Sequence, residues 1–124
     1  MTEKHIRAIR GATTVDVDEP THILSATREL LAELVGRNGL APDDIISALF
    51  TVTTDLCAEF PARAARDLGW TDVPLLCMTE IPVPGALPRC IRVLLHIETT
   101  RPRGQIRHVY LRQARTLRAD LLHD

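Results

Sequence analysis

The stretch Leu87-Pro88-Arg89-Cys90-Ile91-Arg92-Val93-Leu94-Leu95-His96-Ile97-Glu98-Thr99 decides how the rest of the chain is read. It is rich in β-branched and apolar residues and its length suits one strand. Turn residues bound it, Pro84-Gly85 before and Arg101-Pro102-Arg103-Gly104 after. Successive side chains of a strand point to opposite faces. One face therefore carries Ile91, Val93, Leu95 and Ile97, a core set, and the other carries Cys90, Arg92, Leu94, His96 and Glu98. A guanidinium held inside a sheet is costly unless an anion and several acceptors meet it. Two readings of Arg92 are open: a solvent-facing arginine on a half-wet sheet, or a cation that projects into a cleft and receives an anionic ligand.

Working outward, the proline-rich connection Pro82 to Pro88 precedes this strand. Before it, Val73-Pro74-Leu75-Leu76-Cys77-Met78 reads as a strand whose Pro74 favours an edge or a strand start. On the far side, Gln105-Ile106-Arg107-His108-Val109-Tyr110-Leu111 reads as the return strand of a hairpin, with Tyr110 sharing a face with Ile106 and His108. The tail holds Leu117, Leu121 and Leu122 without a clear stop, and from about residue 118 it is expected to be partly mobile.

Toward the N-terminus, His5 to Val15 reads as a strand running into small residues. Ile6, Ala8, Arg10 and Ala12 share one face, so Arg10 is a second arginine on a strand, either reaching water or meeting a ligand beside Gly11 and Ala12. Asp18 is the expected N-cap of a helix through about Arg37, with Ile23, Leu24, Thr27, Leu30, Leu31, Leu34 and Val35 at helical spacing and Asn38-Gly39 as the stop. Ile46 to Thr53 reads as a further strand, and Glu59 to Leu68 as a short helix on which Arg63 and Arg66 share a face, solvated or receiving a carboxylate. Strands alternating with helices give an α/β class, a mixed sheet with helices on one face.

A chain of 124 residues, 45% hydrophobic, is expected to form one domain over residues 1–124. A net charge of −1 leaves no electrostatic footprint for nucleic acid or an anionic membrane. The aromatic residues (Phe50, Phe60, Trp70 and Tyr110) are too few for base-stacking platforms. No apolar run approaches the ~20 residues that span a bilayer. Met1-Thr2-Glu3-Lys4-His5 lacks the apolar core of a signal peptide, and Cys57, Cys77 and Cys90 form no C-x-x-C pair. The expectation is a cytoplasmic protein with reduced thiols.

Several chemistries lack their signatures. The histidines, His5, His22, His96, His108 and His123, are scattered without metal-ligand spacing, so no metal is expected. Cys77 or Cys90 could be a nucleophile activated by arginines, or an inert small hydrophobe. No glycine-rich phosphate loop, G-x-S-x-G elbow or dinucleotide fingerprint occurs. What remains is a set of arginines with one tyrosine and one glutamate near strand ends, suited to a small, multiply anionic molecule.

Five segments taken in order, Ile9-Arg10-Gly11-Ala12-Thr13-Thr14, Phe60-Pro61-Ala62-Arg63-Ala64-Ala65-Arg66, Val73-Pro74-Leu75-Leu76-Cys77-Met78-Thr79-Glu80, Cys90-Ile91-Arg92-Val93 and Gln105-Ile106-Arg107-His108-Val109-Tyr110-Leu111, resemble the trimeric, pseudo-α/β-barrel class of chorismate mutases, as distinct from the all-helical class. Each motif alone is weak; five in the same order, from about Ile6 to Leu121, are specific. The resemblance implies a chorismate-mutase-like fold and a homotrimer with sites at subunit interfaces. The implied activity is the Claisen rearrangement of chorismate to prephenate on the route to phenylalanine and tyrosine, with no cofactor and no covalent intermediate. By the family pattern Arg92 faces the ether oxygen of the breaking bond. Arg10 and Tyr110 hold a carboxylate, and Glu80 accepts from the ring hydroxyl with Cys77 beside it. Phe60 with Ala62 lines an apolar wall, Arg66 with Arg63 attracts the second carboxylate, and Leu117 covers the site. Arg63 stands where the family is expected to have a lysine, and Leu76 where a threonine is common. The competing expectations are an enamine or imine deaminase of related fold and a non-enzymatic sensor of an aromatic precursor.

Overall fold

The structure, a computed structural model, describes residues 3–118 and 120. Its elements are β1 (His5–Thr14), α1 (Pro20–Asn38), β2 (Ile45–Val52), α2 (Ala62–Asp67), β3 (Leu75–Thr79), β4 (Cys90–Thr99) and β5 (Val109–Tyr110), with short 3₁₀ turns at Pro42–Asp44, Arg103–Gln105 and Arg112–Thr116. The strands form a five-stranded mixed sheet in the order β3-β2-β4-β1-β5. β4 pairs antiparallel with β1 on one edge and with β2 on the other, while β3 joins β2 and β5 joins β1 in parallel.

One face of this sheet carries the helices. The alternation in β4 sends Val93, Leu95 and Ile97 inward, where they meet Ile9, Ala48 and Phe50 of the neighbouring strands and Leu30, Leu31 and Leu34 of α1. α2 adds Ala62 and Ala65 to the same cluster, next to Trp70. α1 lies close against β1 because Gly11 has no side chain: a Cβ there would sit 2.8 Å from Leu34 Cδ1 and 3.0 Å from Val93 Cγ1. The expected α/β class with helices on one face is therefore what the chain builds.

Among the described residues, the opposite face has no helix. It carries Ala8, Arg10, Leu49, Met78, Arg92 and Leu94, aligned across the strands by the register Arg10↔Leu94, Ala12↔Arg92, Thr51↔Arg92 and Thr51↔Met78. Ile6 and Leu76 on this side are 65% and 55% exposed, more apolar surface than an ordinary outer sheet face shows.

Three expectations are corrected. Glu19, not Asp18, is the N-cap of α1, with Pro20 at the first helical position and no side-chain cap. Asp18 instead accepts the backbone N–H groups of Cys57 and Ala58, both at 3.0 Å, and so is drawn across to the loop between β2 and α2. The hairpin does not form, because β1 and β2 already occupy both edges of β4; β5 shrinks to two residues and runs parallel to β1. With residues 106–108 outside any strand, period-two alternation fails there. Ile106 turns into the main core, whereas Tyr110 packs on Ala12 and Ala114. The tail expectation falls largely outside the described residues.

α1 ends with Gly39 in the left-handed region at φ 60°, its N–H bonded to Val35 O. Beside it, the buried Asn38 side chain links helix to sheet: Nδ2 donates to Leu34 O and Arg107 O, both at 2.9 Å, and Oδ1 accepts from Arg107 N at 2.8 Å. Asn38→Ala would leave the Arg107 N–H and C=O without these partners, and is expected to lower unfolding free energy by about 2–3 kcal/mol in a urea titration.

Candidate active site

Arg92 leaves β4 near its start, on the open face, and reaches over β2 to the end of β3. There its Nε donates to Glu80 Oε1 at 2.9 Å. Glu80 is the residue after β3, and its N–H to Val52 O bond of 2.9 Å prolongs the strand pairing enough to fix the carboxylate. The Arg92 side chain is 45% exposed and that of Glu80 16% exposed, so the guanidinium keeps N–H groups for a ligand while the carboxylate is largely enclosed. Glu80 Oε2 is buried and meets no donor among the described residues. An acceptor in that position suits a hydroxyl brought by a bound molecule.

The entry to β4 is held on both sides. Asp55 accepts the Arg89 N–H at 2.9 and 3.1 Å from its two oxygens, Thr53 Oγ1 accepts the Cys90 N–H at 2.9 Å, and Arg89 itself sits at φ 48°. A non-glycine residue in the left-handed region is strained unless its surroundings hold it, and these bonds hold the turn at Arg89, three residues ahead of Arg92.

Arg10, Thr51, Arg92, Leu94, Met78 and Tyr110 line one cavity of about 320 Å³ on this face. β1 brings Arg10 there, and the parallel pair Ala12↔Tyr110 brings the tyrosine. Leu117 packs against the Tyr110, Ala12 and Ala114 cluster. His108 Nδ1 accepts the Arg10 backbone N–H at 3.0 Å, tying β1 to the segment before β5. Arg10 also borders a larger basic cavity of about 600 Å³ with Arg7, Arg103, His96 and His108.

The remaining candidates gather elsewhere. Phe60, Ala62, Arg66, Leu76 and Cys77 line a second cavity of about 390 Å³ along the edge strand β3, and no residue lines both it and the Arg92 cavity. Cys77 points to the helix side, level with Phe50, whereas Met78 next to it points to the Arg92 side. Within one chain Cys77 thus does not share the face of Arg92 and Tyr110, because adjacent residues of a strand cannot. Arg63 pairs with Glu59 Oε2 at 2.9 Å, four residues back in the loop that leads into α2. From the sequence, Thr51 is an ordinary strand residue; only the register of β2 on β4 puts it opposite Arg92.

The thiols are not nucleophiles in waiting. Burial pushes the Cys90 thiol up to about 11, with the Glu80 carboxylate adding to the rise and the Arg92 guanidinium opposing it. Burial also raises Cys77, against smaller opposing effects from the Ala62 backbone and Arg66. Both stay protonated near neutrality, as inert strand cysteines do. Among the described residues no three His, Cys, Asp or Glu side chains gather as metal ligands, and no helix is long and apolar enough to cross a membrane.

A mixed sheet covered by helices on one face thus carries arginines, a tyrosine and a carboxylate with one unbonded oxygen on the other, groups chemically able to hold a small polyanion. The chorismate mutase type I family model matches residues 6–121, and the chain belongs to that family. Chorismate mutase AroH of Thermus thermophilus is 51% identical over 117 residues, 94% of this chain and 96% of that one. Chorismate mutase AroH of Bacillus subtilis (strain 168) is 48% identical over 117 residues, 94% of this chain and 92% of that one. Among solved structures, a chorismate mutase from Clostridium thermocellum superposes with a TM-score of 0.88 at 53% identity, covering 89% of this chain and 98% of that one. The expected chorismate-mutase-like fold of the pseudo-barrel class is therefore the fold of this chain.

Cys57 offers a check on the loop geometry. It is exposed, and its Sγ donates to Asp18 Oδ2 at 3.2 Å; that bond and the carboxylate charge raise the thiol above its ordinary value. Desolvation works to raise the Asp18 carboxyl, but the bonds from Cys57 and Ala58 outweigh it and hold it low. Its contribution to stability is thus present above the ordinary carboxylate range and lost as pH falls through the lowered value. Asp18→Asn removes the charge, so Cys57 is expected to react faster with iodoacetamide at pH 8. Cys90 should stay unreactive in the folded protein, as mass spectrometry would show.

Proposed function

We propose that this protein is a chorismate mutase, an isomerase that rearranges chorismate to prephenate in the cytoplasmic synthesis of phenylalanine and tyrosine. The observation that carries the reading is the Arg92 and Glu80 pair: a half-exposed guanidinium beside an enclosed carboxylate whose second oxygen, Oε2, awaits a donor. The reaction is unimolecular. One carbon–oxygen bond breaks while a carbon–carbon bond forms, and negative charge grows on the ether oxygen. A cation fixed opposite that oxygen binds the transition state more tightly than the ground state. Arg92 takes that role.

Glu80 Oε2 accepts from the ring hydroxyl, which orients the substrate relative to Arg92. Arg10 and Tyr110 hold one carboxylate and select the folded conformer, a positioning effect. Arg66 with Arg63 attracts the second carboxylate, Phe60 with Ala62 and Leu76 supplies the apolar wall, Cys77 lies near the hydroxyl, and Leu117 covers the opening. No proton transfer or covalent step is needed, so neither cofactor nor metal enters the bond-changing step.

We read the active assembly as a homotrimer with each site shared between two copies. Two observations support this. The candidate residues fall into two groups lining separate cavities. The surface of the second group is itself apolar and uncovered, with Phe60 66% and Leu76 55% exposed. A second copy laying its β3 edge on the open face of the first joins the Phe60–Cys77 group to Arg92, Glu80 and Tyr110.

Mixing the protein with chorismate and following the loss of ultraviolet absorbance tests the activity. Acceleration over buffer is expected; its absence leaves the deaminase and sensor readings. Replacing Arg92 by citrulline, which keeps the shape and removes the charge, is expected to lower kcat about a hundred- to a thousandfold with a much smaller change in KM. Arg92→Gln and Arg66→Ala chains, each weakly active alone, should regain activity when unfolded together and reassembled, with about a quarter of the sites intact. A site contained in one chain would regain none.

A further inference from the structure

We infer that Thr51 is a positioning residue for Arg92, an inference that rests on the chorismate mutase reading and deepens it. In the sheet order, β2 lies between β4, which carries Arg92, and β3, which leads to Glu80. The ion pair of Arg92 with Glu80 therefore passes over β2, and the β2 residue directly opposite Arg92 is Thr51. Thr51 also pairs with Met78 on the other side, so its side chain lies on the open face between the two partners. It lines the cavity shared by Arg10, Arg92 and Tyr110.

Its hydroxyl is anomalous. Thr51 Oγ1 is buried and has no hydrogen-bond partner among the described residues. A buried hydroxyl without a partner is destabilising, whereas a methyl group of the same shape is not. Packing alone therefore favours valine at this position, in a strand where valine is a common residue. The guanidinium above it has five N–H donors, and Glu80 Oε1 takes the one on Nε. When a bound dicarboxylate draws Arg92 toward the breaking bond, a terminal N–H of the guanidinium donates to Thr51 Oγ1. Glu80 and Thr51 then hold the cation from two directions, and fewer of its orientations remain to be lost in the transition state.

The test is a pair of variants in the full-length protein. Thr51→Val keeps the shape and deletes the acceptor. It is expected to lower kcat about tenfold, with KM within about twofold, because the lost bond is to a charged group and forms only when the cation is in place. Its melting temperature should equal or exceed that of the unaltered protein. Thr51→Ser keeps the acceptor and should restore most of kcat. Thr51→Val with unchanged kcat overturns the inference, and so does Thr51→Ser with the same loss, which would assign the effect to the methyl group. A Thr51→Val protein whose assembly weakens on dilution while kcat stays intact also overturns it, by placing the hydroxyl at a subunit contact. An unaltered protein that does not convert chorismate defeats the activity itself and this inference with it, whereas an active one with an indifferent Thr51 defeats the inference alone.

Discussion

A guanidinium reaching over one strand to a carboxylate on the next, Arg92 Nε to Glu80 Oε1 at 2.9 Å, sets conditions that the rest of the sheet has to meet. β2 must run between the two partners, and its residue at the crossing must be small. β4 must keep its register on both β1 and β2 so that Arg92 faces away from the helices. A pair with one partner 45% exposed contributes roughly 0–1 kcal/mol to folding. Its consequence is the placement of charge: the carboxylate aims the guanidinium and leaves its outer N–H groups facing the cavity.

The second constraint is that, among the described residues, helices cover the sheet on one side only. α1 and α2 meet the inward residues of β1, β2 and β4, and Gly11 lets α1 approach closely. The other face keeps its apolar residues beside its cations. Such a surface, and the division of candidate residues between the open face and the β3 edge, is what the proposed shared site would need.

Two acidic side chains fix the loops that lead to the site residues. Asp18 holds the backbone of Cys57 and Ala58, and Asp55 holds that of Arg89. A carboxylate accepting backbone N–H groups is an effective staple for a segment without regular structure. One staple fixes the approach to Phe60, and the other fixes the turn into Cys90 and Arg92.

Local pattern alone carried a large share of the fold. The alternation of Ile91, Val93, Leu95 and Ile97 assigned β4 its buried face, the spacing from Ile23 to Val35 assigned α1, and the order of strands and helices assigned a mixed sheet with helices on one side. Arg92, Glu80, Arg10 and Tyr110 stood out because charged and hydroxylated residues on such strands need an explanation, and five short motifs in order named the family. Tertiary structure decided the rest. Residues 105–111 read as a hairpin partner of β4, since turn residues and alternation are local signals; β4 had no free edge, and only its pairing with β1 and β2 makes that visible. Asp18 read as a helix cap because it precedes a helix, yet its oxygens go to a loop 39 residues further along. Thr51 had no signal at all, because the meaning of its hydroxyl comes from which residue lies opposite it on another strand. Periodicity reports which way a side chain points; what it points at depends on contacts between residues far apart in the chain.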